Sequence, residues 1–418
     1  MNSYAAIDFG TSNSAVYVGA GAQGSLTPLE RDRDTMPTAV FFNADERTIV
    51  FGRQAIAEYQ AGFGGRLMRS LKSLLGSELI DETTLVNGKT LAYRSIIGHY
   101  VSHLKAVAEA NSGRPLDRVV LGRPVHFVDD DGARDAQAQV TLEQIARDAG
   151  FGEVQFLFEP IAAALDFESR LSRETLVLVV DIGGGTSDFS LIRLGPERRR
   201  RLDRSGDVLA NAGVHIAGTD FDQQLSLAAV MPQLGMGSLG ETGKPVPTQT
   251  YFELATWHRI NFLYSPRALA DAQTLRPFFA DARLHARLMR VLREREGHRI
   301  AGLVEEAKVA TAEGGAAQID LGFIEAGLSA ALGEALIRRA LDKPLSCVAQ
   351  TAVDAVQAAG IEPAQVDALY FTGGSTGLIP LRRSIAAAFP RSEIVLGDKF
   401  SSVASGLGLH AAKLFAGQ

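Results

Sequence analysis

Two short stretches of this chain concentrate residue types that could grip a phosphate chain. The first is Asp8-Phe9-Gly10-Thr11-Ser12-Asn13-Ser14. The second is Asp181-Ile182-Gly183-Gly184-Gly185-Thr186-Ser187-Asp188. Glycines let backbone N–H groups approach an anion closely, and small hydroxyl side chains add donors. Asp8 and Asp181 could each hold a hydrated Mg²⁺, an ion that uses few carboxylates and keeps its waters. Two such stretches suggest a nucleoside triphosphate gripped from two sides by similar halves of one chain.

The elements that must position these residues are legible around them. Apolar runs flank each stretch: Tyr4 to Ile7 and Ala15 to Val18 around the first, Leu176 to Val180 and Phe189 to Ile192 around the second. Strand, Gly-rich turn, strand predicts a β-hairpin in both places. A third Gly-rich turn, Gly373-Gly374-Ser375-Thr376-Gly377, follows a strand-like run from Ala368 to Phe371 and precedes a helix-like run from Leu381 to Phe389. Backbone N–H groups at such a turn form an anion or nucleotide site. Other strands are expected at Ala39 to Phe42, Arg118 to Leu121 and Val154 to Phe158. Helices are expected at Ser95 to Ala110, Arg134 to Ala149, Pro160 to Ser169, His298 to Ala312 and Ser346 to Ala359. The alternation is that of an α/β protein. Gly235 to Gln249 reads as a surface loop, and Asp281 to Gly297 as an exposed helix.

A length of 418 residues calls for more than one core. The net charge of −6 gives no support for nucleic-acid binding. A single cysteine, Cys347, excludes an internal disulfide and fits a reducing compartment. No apolar run is long enough for a membrane span and the first residues lack a signal-peptide pattern, so a cytoplasmic location is expected.

In this order and at these distances, the motifs resemble the actin-like ATPase superfamily, and within it the DnaK-type heat shock chaperones. The resemblance runs from Ile7 to Ala412. Glu159-Pro160-Ile161-Ala162 looks like the family's connecting helix, and Ile216 to Asp222 like the Gly-rich turn that enters the second lobe. Leu71-Lys72-Ser73-Leu74-Leu75-Gly76 looks like the segment bearing the family's catalytic lysine. The implied fold is an actin-like (ribonuclease H-like) ATPase, two duplicated lobes around a nucleotide cleft. The first lobe would span residues 1–172, with an outer part near 36–112, and be completed by 398–418. The second would span 173–397, with an outer part near 218–344. No peptide-binding domain is expected, which resembles short bacterial DnaK-like proteins made of the ATPase module alone.

The implied cofactors are ATP or ADP with Mg²⁺. Gly10, Thr11, Ser12 and Asn13 would hold phosphates from one side, and Gly183, Gly184, Gly185 and Thr186 from the other. Asp8 and Asp181 would hold the metal through water. Lys72 would neutralise charge near the γ-phosphate, while Glu159, Asp181 or Asp188 would orient the attacking water, the three remaining open. Gly218, Glu305, Lys308, Gly373, Gly374 and Ser375 would face the nucleoside. The chain departs from the family where Gly377 replaces the Arg that stacks on adenine and where Val309 replaces a basic residue, so weaker adenine binding is expected. Pro124 matches the family's interlobe proline. The Arg expected near Gln137 to Gln139 and the acidic residue expected near Phe400 and Ser401 are absent. The implied function is slow ATP hydrolysis by a chaperone-related protein, with a protein client or co-chaperone as partner. An ATP-dependent actin-like filament or a small-molecule kinase shares the fold.

Plainer readings stand beside these. Glu305 and Lys308, three apart on a helix, could be a surface ion pair. Glu159 could serve only a helix start, and Lys72 could be an exposed lysine. His99 and His103 have metal-ligand spacing but no third ligand, which predicts a surface or packed pair. Asp129-Asp130-Asp131 and Arg198-Arg199-Arg200-Arg201 read as a solvated loop and a solvated turn.

Overall fold

The computed structural model describes residues 3–128, 131–240, 243–398 and 401–415. Asp129, Asp130 and Phe400 lie outside the described residues. The chain is a mixed α/β protein in which two five-strand paths repeat one another. Ser3–Phe9 (β1), Asn13–Ala20 (β2) and Gln23–Leu26 (β3) form an antiparallel meander, and Arg118–Arg123 (β4) and Glu153–Phe158 (β5) add to β1 in parallel. The order is β3-β2-β1-β4-β5, with the short strand Thr35–Pro37 also on β2. In the second sheet, Thr175–Ile182 (β6), Ser187–Leu194 (β7) and Val208–Val214 (β8) are antiparallel, and Ala368–Thr372 (β9) and Glu393–Leu396 (β10) follow in parallel. Its order, β8-β7-β6-β9-β10, is the same.

The sequence explains the central strands. Tyr4 to Ile7 and Val177 to Val180 are buried without alternation, as strands covered on both faces must be. One face of each sheet has its own core. The first includes Ile7, Val119 and Leu121, with Tyr100 and Leu104 from helix Tyr93–Ser112. The second includes Val180, Phe189 and Leu191, with Leu345 and Val348 from helix Glu334–Ala358. A third core joins both sheets through two helices, Glu159–Ser169 (α1) and Ser402–Phe415 (α2). It gathers Ala6 and Val120 from the first sheet, Val179 and Tyr370 from the second, and Ile161, Leu165, Leu407 and Ala411 between them. The long segments following β3 and β8 fold outside the sheets, as the small sheet of Ala39–Asn43, Thr48–Phe51 and Gly65–Arg69 and as a helical group with the hairpin Ala316–Asp320/Ser329–Gly333.

Three local expectations are corrected. The helix expected at Ser346 begins at Glu334, because Ile337, Leu341, Leu345 and Val348 form one buried stripe that carries it through Pro344. The helix Ala282–Arg293 is not exposed but half-buried: His285, Leu288, Met289, Val291 and Leu292 face the core. The arginine run is not wholly solvated. Arg198 turns inward to Asp207 and to Glu174, 2.8 Å away. Of the histidine pair, His103 stacks on Phe51 at 4.1 Å while His99 is exposed.

Candidate functional site

All the residues picked out above for phosphate, metal, catalysis and nucleoside line one cavity of about 1050 Å³. Asp8, Gly10, Thr11, Ser12 and Asn13 come from the β1–β2 turn; Asp181, Gly183, Gly184, Gly185, Thr186 and Asp188 come from the β6–β7 turn. Gly373, Gly374 and Ser375 follow β9, Gly218 opens the helix Gly218–Ala229, and Glu305 and Lys308 lie on Gly297–Ala310.

The three Gly-rich turns meet because their backbones can touch. A Cβ on Gly184 would stand 2.7 Å from Ser12 Oγ, so the two hairpin turns approach one another at a position that leaves no room for a side chain. Gly373 has a φ of +87°, and a Cβ there would lie 2.5 Å from both Asp181 Oδ1 and the Ile182 carbonyl. The Ser375 hydroxyl donates to the Gly183 carbonyl at 2.7 Å, and the Thr219 N–H donates to that of Gly184 at 2.8 Å. The Thr186 hydroxyl donates to Asp188 at 2.8 Å.

Lys72 is no surface lysine. It stands on the short turn Leu71–Leu74, and its ammonium is paired with Glu159 at 2.5 Å. Ser70, just before the turn, has a φ of 55°, a strained left-handed conformation for a residue with a side chain. Burial opposes the charge on Lys72, but Glu159, Asp8 and Asp188 outweigh it and hold the ammonium above its ordinary value. Glu159 leads into α1 directly from β5, with Pro160 in the first turn.

The carboxylates crowd one another. Burial, then Glu159 and Asp181, push Asp8 up to about 8, with Lys72 pulling the other way. Burial, then Asp188 and Glu159, push Asp181 up to about 7, again against Lys72. Four carboxylates facing one lysine leave an excess of negative charge that a hydrated divalent cation would neutralise. Among the described residues no group of three His, Cys, Asp or Glu is placed to hold an ion directly.

On the opposite wall the surface ion-pair reading of Glu305 and Lys308 fails. Lys308 reaches away from its own helix to Asp222, at 2.8 Å, and donates to the Gly218 carbonyl at 3.3 Å. Asp222 lies in the first turns of the helix that Gly218 opens but was not singled out from sequence. Burial pushes it up to about 6, with Lys308 opposing and Glu305 and Asp220 adding to the rise. Sequence reasoning also missed Thr38, whose hydroxyl donates to the Gly10 carbonyl at 2.7 Å and braces the first turn. Arg69 and Trp257, facing one another at 4.4 Å on the cavity wall, were missed as well. Only their tertiary partners mark them. Val309 lines the cavity and is largely exposed, whereas Gly377 is buried.

Residues 76–231 match the family model described as Hsp70 protein. The match supports the Hsp70 family and covers Glu159, the whole second hairpin and the Gly218 turn. Among the described residues no helix is long and apolar enough to cross a membrane.

Proposed function

We propose that this chain binds ATP or ADP with Mg²⁺ between two lobes of an actin-like ATPase and hydrolyses ATP slowly, as a DnaK-like protein that assists folding or assembly of other proteins. The supporting observation is the convergence of three Gly-rich turns, four carboxylates and the Lys72–Glu159 pair on one cavity. In this reading each sheet is the core of a lobe, with residues 36–112 and 218–344 as the outer parts and 398–418 returning to the first lobe. The hairpin turns would donate backbone N–H groups to the phosphates, and Asp8 and Asp181 would hold the ion through its waters. Bound Mg²⁺ would supply charge neutralisation on the phosphates. Lys72 would add positive charge near the γ-phosphate, and Glu159, Asp181 or Asp188 would orient the attacking water.

Thermal unfolding tests the reading. Mg·ADP should raise the melting temperature of the wild type, because a ligand bound only to the native state stabilises it. Gly184→Val should abolish the shift, since its side chain would fill the space between the turns. A shift that survives the substitution would take the nucleotide away from this loop.

A further inference from the structure

The connection between β7 and β8 is much longer than the matching link of the first sheet. Its counterpart in the first sheet, between β2 and β3, is closed by Gly21 and Ala22 alone. In the second sheet the same link runs over residues 195–207 and carries the run Arg198 to Arg201 that the nucleotide site does not use.

The added loop is held firmly from beneath. Glu168, fully buried near the end of α1, accepts from the Gly195 N–H at 3.0 Å and from both terminal nitrogens of Arg204 at 2.8 and 3.0 Å. Arg204 is also paired with Asp207, and Asp207 with Arg198. Lys413 of α2 donates to the Arg199 carbonyl at 2.7 Å. Two arginines are therefore spent on anchoring. The others face solvent: Arg199 reaches only the Ser169 carbonyl, Arg200 is 76% exposed with a weak pair to Glu197, and Arg201 is exposed. Leu202, beside them, is 55% exposed.

A buried charge cluster is costly unless every partner is satisfied, so its use to fix an excess surface loop calls for a purpose beyond the fold. We propose that this loop is a docking site for an acidic protein segment, which pairs with Arg199, Arg200 and Arg201 and rests an apolar side chain on Leu202. The loop that carries these arginines is already anchored, so little backbone ordering is needed on binding, and guanidinium forks match carboxylates in pairs. A nucleic acid fits less well. Glu197 and Asp203 flank the arginine run and repel a continuous phosphate backbone, whereas a short acidic segment can place its carboxylates on the arginines between them.

The test uses the full chain and a labelled synthetic helix of Glu, Ala and Leu, read by fluorescence anisotropy at low and moderate salt. The wild type should bind it in a salt-sensitive manner. Arg199→Glu/Arg200→Glu/Arg201→Glu should weaken binding at least about ten-fold and gain affinity for the same peptide with Lys in place of Glu. Leu202→Asp should weaken the acidic peptide further without removing the nucleotide-induced thermal shift, so this proposal and the nucleotide site fail separately. Arg200→Ser/Arg201→Ser, which keeps both anchors, serves if the triple reversal does not fold. No binding by the wild type, binding indifferent to these substitutions, or tighter binding of a single-stranded RNA than of the peptide would each overturn the proposal.

Discussion

Lys72 sits among Asp8, Glu159 and Asp188, and its removal tests how the cavity divides binding from chemistry. Lys72→Ala should leave Mg·ADP binding close to that of the wild type while slowing hydrolysis by about ten-fold or more, the range seen when a charge acting in the transition state is lost. Phosphate release and ADP titration on the same preparations separate the two; equal hydrolysis rates would reduce Lys72 to a structural partner of Glu159. Two buried histidines set a different property. Burial first, then nearby cations, holds both His298 and His410 down at about 4. An unfolded chain protonates them near 6.5, so between that pH and 4 the unfolded state binds more protons and stability falls with falling pH. Asp8 and Asp181, raised to about 8 and 7, act in the opposite sense and lose stability as pH rises toward those values. On going from pH 7 to pH 5, urea unfolding of the nucleotide-free protein should therefore show stability shifting in favour of His298→Gln/His410→Gln relative to the wild type, because the variant lacks the histidine contribution that falls with pH. An identical change in both proteins would remove the two histidines from the pH dependence.

At the scale of elements, α1 and α2 pack closely against one another in the shared core. A Cβ on Gly406 would stand 1.9 Å from the Ala162 carbonyl oxygen. Gly406→Val should cost about 3 kcal/mol or more by overpacking, seen as a lowered denaturant midpoint. Gly98, inside the helix Tyr93–Ser112 with open space around it, is the control: Gly98→Ala should stabilise by about 0.5–1 kcal/mol. These elements also show what the sequence could and could not reveal. The hairpins were legible because apolar runs and turn glycines are local signals, and Lys72 could be assigned only through a family resemblance. Asp222 and Thr38 were not legible, because their partners Lys308 and Gly10 are distant in the chain. The same holds for Glu168, a buried acid that looks like any helix-end glutamate until Arg204 is seen beside it. Pro344 shows that a local breaker can be overruled: the buried stripe of Ile337, Leu341, Leu345 and Val348 carries the helix through it.

Taken as a whole, the molecule joins its outer segments above the cavity through aromatic contacts. Arg69 lies 4.4 Å over Trp257, and Tyr59 stands 5.9 Å from Trp257 and 5.4 Å from His298. Arg69→Ala should speed release of a fluorescent ADP about five-fold, matching the loss of roughly 1 kcal/mol from a partly exposed cation–π contact. Trp257, the sole tryptophan, should report nucleotide binding by its own emission. An unchanged release rate would mean that the outer contacts do not hold the nucleotide. The same connectivity brings the far ends of the described chain together: the ring of Phe415 lies 5.8 Å from that of Tyr4, and both belong to the core shared by the sheets. On a ribosome, β1 is made long before α2, the helix that comes to cover it. At about 5–20 residues per second, the wait is roughly 20–80 seconds. For that interval the apolar strand face that Phe415 will cover has no native partner, so the nascent chain is itself exposed to aggregation and a potential client of the cell's folding machinery.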